Sequence, residues 1–166
     1  MGVMCKEAQM TKVYLFDWGD TLMVDFPDEQ GKMCNWTKVQ AVDGAEDVLS
    51  QLFKSHKIFV ATNAADSTEL DIKVAFERVN LTQYISGYFC KSNLGVGKGT
   101  PSFFSKIMQS LNLEPSSIIM VGDSLEKDIK PAIMAGINAI WFNPSQTKSE
   151  FNKGYRQIKC LREICT

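Results

Sequence analysis

Residues 12–21 read KVYLFDWGDT, and residues 117–128 read SIIMVGDSLEKD. Each is an apolar run that stops at a turn rich in glycine and aspartate. A run without period-two alternation is what a parallel strand covered on both faces requires. Lys57–Asn63 (KIFVATN), Ile85–Cys90 (ISGYFC) and Asn138–Asn143 (NAIWFN) have the same character. The segments between them carry a helical period. Asp43, with Glu46 three residues on, is an expected N-cap ahead of Val48, Leu49, Leu52 and Phe53. Asp66 with Glu69 repeats that arrangement before Ile72, Ala75, Phe76 and Val79. Thr100–Pro101 supplies a cap and a first-turn proline before Phe104, Ile107, Met108 and Leu111. Ile129, Ala132, Ile133 and Gly136 form a fourth stripe. Strand and helix alternating in this order predict an α/β fold, a doubly wound, Rossmann-like parallel sheet in three α/β/α layers. Met23–Val42 is irregular, and the tail after Pro144 is polar before an expected short strand and helix over Gln157–Ile164.

The 166 residues suit one domain with a real core. A composition of 45% hydrophobic and 22% charged residues with a net charge of -1 leaves no electrostatic footprint for nucleic acid or an anionic membrane. No apolar run approaches bilayer length. MGVMCKEAQM lacks the apolar segment of a signal peptide, and Glu7 and Ala8 lie around the place where myristoylation wants Ser or Thr. The expected location is cytoplasmic. The five cysteines (Cys5, Cys34, Cys90, Cys160, Cys165) form no CxxC pair, and His56 is the single histidine. Buried or incidental thiols are therefore expected, not a disulfide framework or a zinc site.

Ligands of such a sheet bind at the carboxyl ends of its strands. Here the first strand stops at Asp17 and runs into Trp18-Gly19-Asp20-Thr21. The second stops at Thr62-Asn63, and the fourth at Gly122-Asp123-Ser124 with Asp128 beyond. Lys98 lies in a glycine-rich loop, GVGKG. Singly, each is an ordinary turn residue or a solvated lysine. Together they place two carboxylates, a hydroxyl and an ammonium on one edge of the sheet.

FDWGDTL, VATN, GVGKG and VGDSLEKD resemble, in order and spacing, the four motifs of the haloacid dehalogenase superfamily, whose commonest activity is phosphatase. The resemblance spans residues 12–144, leaving an extension at 1–11 and a carboxyl-terminal segment at 145–166. It implies that Asp17 attacks phosphorus to form an aspartyl-phosphate. It implies magnesium held by Asp17, the carbonyl of Gly19, Asp123 and water, with Asp128 as a further acid near the metal or steering Lys98. Thr62 and nearby backbone N–H groups, with Asn63, would bind phosphoryl oxygens, and Lys98 would offset their charge. Trp18 and Trp36 stand near the mouth, either stacking on a substrate ring or, more ordinarily, packing beneath a loop.

The first motif departs from the usual DxDGT. Gly19 occupies the position of the acid that protonates the leaving oxygen, and Asp20 lies one residue later. General acid–base catalysis contributes ~10²–10⁴-fold, about 3–5 kcal/mol of barrier, so its loss weighs most on alkyl phosphates. The possible repairs are Asp20 in an altered loop, another acid from Met23–Val42 (Asp25, Asp28 or Glu29) or a partner chain, or chemistry that needs no acid at that point, as in the branches of the superfamily that cleave carbon–halogen or carbon–phosphorus bonds. Both intervals where this superfamily inserts a cap are short, so an open, capless site is expected. Its substrate would be a phosphorylated molecule, large or enclosed by an oligomer. The alternative is a weakly active or non-catalytic phosphate- or partner-binding module. Dehalogenase chemistry fits less well, because it relies on a cap.

Overall fold

The computed structural model describes residues 12–149, 151 and 154–166; the extension at 1–11, with Cys5, Glu7 and Ala8, lies outside the described residues. Six strands form one sheet: β1 (Val13–Phe16), β2 (Lys57–Ala61), β3 (Gly87–Phe89), β4 (Ile118–Gly122), β5 (Asn138–Phe142) and β6 (Tyr155–Ile158). All pairings are parallel, in the order β3-β2-β1-β4-β5-β6. The chain steps outward from β1 to β3, then returns to β4 on the other side. The topological switch point therefore lies between β1 and β4, and there the crevice of an open α/β sheet forms.

The strands stop one or two residues before the apolar runs suggested. Asp17 and Thr62 leave the regular ladder, yet their N–H groups still donate to Val121 (2.9 Å) and Phe89 (2.9 Å). Those backbone bonds fix where the two side chains start.

Period-two alternation divides the sheet between two cores. Tyr14, Phe16, Ile58 and Val60 face α1 (Ala45–Leu52) and α2 (Glu69–Glu77). Val13, Leu15, Ile118 and Met120 face α4 (Pro101–Leu111) and α5 (Lys130–Met134) through Phe103, Phe104, Ile107 and Ala132. Burying a side chain of that size contributes about 1.5–3 kcal/mol, so the central strands are anchored from both sides.

Several helix starts differ from the sequence reading. Gly44, in the left-handed region at φ 84°, precedes α1 without a side-chain cap. Asp43 instead accepts hydrogen bonds from Arg162 (2.9 and 3.3 Å). Thr68 and Asp71 form the capping box of α2, in place of Asp66 and Glu69. Both pairs have the box spacing, and the pair with the hydroxyl cap forms it. Thr100 occupies the cap position of α4 with Pro101 following, but its hydroxyl pairs with Ser102 at 3.0 Å and leaves the helix N–H groups alone. The fourth stripe opens as a π-turn, Leu125–Ile129, before α5. A short helix, α3 (Lys91–Leu94), had no counterpart in the sequence reading. The tail does return as a strand, β6, followed by a 3-10 turn at Leu161–Cys165. Cys34, Cys90, Cys160 and Cys165 are free thiols. No described helix is long and apolar enough to cross a membrane.

Candidate active site

Asp17 leaves the central strand β1, flanked by Thr62 at the end of β2 and Asp123 at the end of β4. Lys98 arrives from the loop before α4 and is almost wholly buried. Its ammonium donates to Asp17 Oδ1 (2.5 Å) and to the carbonyl of Ala61 (2.9 Å), and it lies 2.7 Å from Asp128 Oδ1. Burial alone would lower the ammonium's pKa; Asp17 and Asp128 outweigh it and hold Lys98 charged.

Two glycines make this arrangement possible. A Cβ on Gly122 would stand 2.3 Å from Asp128 Oδ2, so only glycine lets that carboxylate fold back over the end of β4. The same oxygen then accepts the N–H of Ser124 (3.0 Å). A Cβ on Gly97 would come within 2.8 Å of Asn63 Oδ1, the atom that accepts the backbone N–H of Lys98 (2.9 Å). Asn63, expected to bind substrate, thus also fixes the lysine loop. Thr62 is buried, and its hydroxyl accepts the N–H of Ala64 (3.2 Å).

Thr21 had no assigned role in the sequence reading, yet its buried hydroxyl lies 3.2 Å from Asp17 Oδ2 and 3.3 Å from Asp123 Oδ1. Its position four residues after Asp17 was the one available signal. Trp141 donates to the carbonyl of Asp123 (2.9 Å) and fixes that turn.

Asp17, Asp123 and Asp128 bring ligand oxygens within 4.8 Å of one another. Burial is the largest cause raising the pKa of Asp123, followed by hydrogen bonding and repulsion from Asp17 and repulsion from Asp128. Burial also raises Asp128, against the pull of Lys98. Three carboxylates thus cluster here while the Lys98 ammonium pairs with Asp17 and Asp128, and a hard divalent cation would offset the repulsion among them. Their all-oxygen donor set fits magnesium. Asp128, expected among the metal residues, has its oxygens turned toward Lys98 and the Ser124 N–H, which favours the steering role.

The cavity above Asp17 measures about 320 Å³ and is lined by Thr62, Lys98, Trp18, Trp36, Asp25 and Lys127, among others. Trp18 and Trp36 are packed: their indole N–H groups donate to Met23 Sδ (3.3 Å) and to the carbonyl of Gly31 (2.9 Å). Each nevertheless borders the cavity. Gly19 lines it too, whereas Asp20 lines a neighbouring cavity of about 740 Å³ with Asp43, Asp123 and Lys159. Asp20 sits at φ 58°, and its carboxylate accepts the N–H of Asp25 (2.9 Å). Asp20, expected among the catalytic residues, therefore borders the second cavity with Asp123 and not the one that Asp17 lines. Asp tolerates the left-handed backbone there better than most residues.

The chain matches the haloacid dehalogenase-like hydrolase family over residues 19–136 and belongs to it. It is 30% identical over 107 residues to the pyrimidine 5'-nucleotidase PynA of Streptococcus pneumoniae, covering 63% of this chain and 44% of that protein. The chain thus spans less than half of that relative's length. Among solved structures, it resembles an uncharacterized protein from Listeria monocytogenes serotype 4b, with a TM-score of 0.80, 19% identity and coverage of 92% and 94% of the two chains. It also resembles the magnesium-bound HAD-hydrolase YfnB of Bacillus subtilis, with a TM-score of 0.75, 16% identity and coverage of 94% and 97%. At these identities the structures establish the fold.

Proposed function

We propose that this domain is a magnesium-dependent phosphohydrolase that works through an aspartyl-phosphate on Asp17. The observation that carries the reading is the ammonium of Lys98, buried and 2.5 Å from a carboxylate at the switch point of the sheet. Asp17 is the nucleophile toward a phosphoryl group, and Thr62, Asn63 and nearby N–H groups receive its oxygens. Lys98 offsets charge as it builds up, without reorganisation, because Asp128 and Ala61 already hold it. Asp17, Asp123 and the carbonyl of Gly19 would hold magnesium, with Asp128 behind them. Magnesium at that place supplies positive charge against phosphate–carboxylate repulsion.

The unit is read as a single domain without a cap. Between β1 and α1 the described secondary structure is one 3-10 turn, Met33–Asn35, with isolated bridges, and β2 to α4 is filled by α2, a 3-10 turn, β3 and α3. The substrate is a phosphorylated molecule reaching an open cavity. The pyrimidine nucleotidase relative supports a phosphomonoester.

Hydrolysis of p-nitrophenyl phosphate with and without magnesium, beside Asp17→Asn, tests this. Magnesium-dependent turnover falling by on the order of 10⁴-fold or more in the variant is expected. Turnover that survives in Asp17→Asn sinks the nucleophile assignment. No turnover by a folded, magnesium-binding protein favours the second reading, a phosphate-binding module, for which glycine at position 19 speaks.

A further inference from the structure

Transfer of a phosphoryl group from an alkyl ester to Asp17 leaves an alkoxide, which needs a proton as the ester bond breaks. Lys98 is a poor source, boxed between two carboxylates and a carbonyl. We propose that Asp25 is the proton donor to the leaving oxygen, and the base that later activates water; this rests on Asp17 being the nucleophile.

Four observations carry the proposal. Asp25 lines the cavity that holds Asp17, Thr62 and Lys98. Its side chain also borders the space that a side chain at position 19 would enter. The three atoms nearest to a Cβ on Gly19 are Asp25 Cβ (3.5 Å), Oδ2 (3.7 Å) and Cγ (3.8 Å). Gly19 is not among the positive-φ residues, so neither its backbone nor its space requires glycine. An acid at position 19 would instead stand against Asp25, and two like charges that close are unfavourable. One carboxylate suffices there, and the chain supplies it from six residues further on.

The segment carrying Asp25 is also held in place. Its N–H donates to Asp20 (2.9 Å), the adjacent Val24 N–H donates to Gln40 (2.9 Å), and Met23 bridges both Gly19 and Ala41. Asp25 is nevertheless exposed, as a group that exchanges protons with water must be. Of the other acids in Met23–Val42, Glu29 is spent on the N–H groups of Thr37 (3.4 Å) and Lys38 (3.2 Å), and Asp28 does not line the cavity.

The steps balance. Asp17 forms a bond to phosphorus, the bond from phosphorus to the ester oxygen breaks, and that oxygen takes the proton of Asp25. Asp25 then takes a proton from water, whose oxygen attacks phosphorus. The acyl phosphate bond to Asp17 breaks, and inorganic phosphate leaves.

The test compares p-nitrophenyl phosphate, whose leaving group needs no proton, with propyl phosphate in magnesium, for wild type, Asp25→Asn and the Gly19→Asp/Asp25→Ala pair. Asp25→Asn is expected to lower kcat/KM for propyl phosphate by about 10²–10⁴-fold. Its kcat/KM for the aryl ester should stay within about threefold, since leaving-group departure needs no acid there. Slow second-step hydrolysis should then appear as a nitrophenol burst of one equivalent per enzyme, which also shows the variant to be folded. The paired substitution should recover propyl phosphate turnover by at least about tenfold over Asp25→Asn. Equal losses on both esters, no loss on either, or a wild type inert toward propyl phosphate overturns the proposal while leaving Asp17 as nucleophile. Aryl turnover indifferent to Asp17→Asn overturns both.

Discussion

The loops after β1 and β4 meet at the same crevice but are built in opposite ways. The β4 loop is tight: Asp128 is buried, folded over Gly122, and its charge is matched by Lys98. The β1 loop, residues 18–44, is long and carries Asp20, Asp25, Asp28 and Asp43 toward water. It is stapled from outside by Arg78, which donates to the carbonyls of Trp36 (2.5 Å) and Cys34 (3.3 Å), and by the Lys32–Asp71 pair at 2.9 Å. The difference follows from what each loop handles. A fixed charge gains strength from burial, whereas a group that exchanges protons needs contact with solvent.

The largest effect should come from breaking the tight loop. Gly122→Ala puts a methyl at 2.3 Å from the Asp128 carboxylate and 2.6 Å from its Cβ, too close for both to stay. Asp128 must leave, freeing Lys98 from one partner. About 1–3 kcal/mol of destabilisation in a denaturant titration is expected, with a rate loss on the order of 10²-fold from the misplaced lysine. A variant that retains full activity would show that Asp128 does not steer Lys98.

Magnesium sharpens the comparison next. Burial, and then Asp17, raise the pKa of Asp123 from 3.8 to about 8. Across that window the folded state holds a proton that the unfolded chain has released, so this group's contribution to stability falls as pH rises. Magnesium competes with that proton, and its apparent affinity should rise by up to about tenfold per pH unit below the raised value. Thermal unfolding at pH 6 and pH 8 should therefore show the larger magnesium-induced gain at pH 8. Equal gains would place the metal away from Asp123.

The smallest effect belongs to the staple. Arg78→Ala removes two hydrogen bonds to the open loop and leaves the β4 loop untouched. About 1 kcal/mol of stability should go, with propyl phosphate turnover reduced several-fold and aryl turnover little changed. A loss of magnesium affinity in this variant would mean that the two loops are not independent.

Much of this was legible in the residues. The apolar runs gave the strands and the parallel sheet, because burial on both faces leaves a run without alternation. Asp17, Thr62 and Asp123 were singled out because strand ends on one edge must converge, and Lys98 from its glycine-rich loop. Helix starts were harder: Asp66 and Thr68 both begin a box of the right spacing, and local pattern could not rank them. Thr21 was missed because its one signal, a place four residues after Asp17, says little until its neighbours are placed. Asp20 was one possible replacement for the acid missing at Gly19, one residue displaced, but in its left-handed position it borders another cavity.

The sequence by itself determined the order of the strands along the chain, the layers that cover them and the set of charged groups at the crevice. Periodicity and strand-end chemistry are local properties, and each residue carries its share. Only the tertiary structure decided which acids face Asp17. That choice depends on a backbone turn at Asp20, on the missing Cβ at Gly122 and on a loop returning from residues 23–42 to stand beside Gly19. Contacts between residues distant in sequence, and the excluded volume of single carbon atoms, leave no periodic trace in the chain.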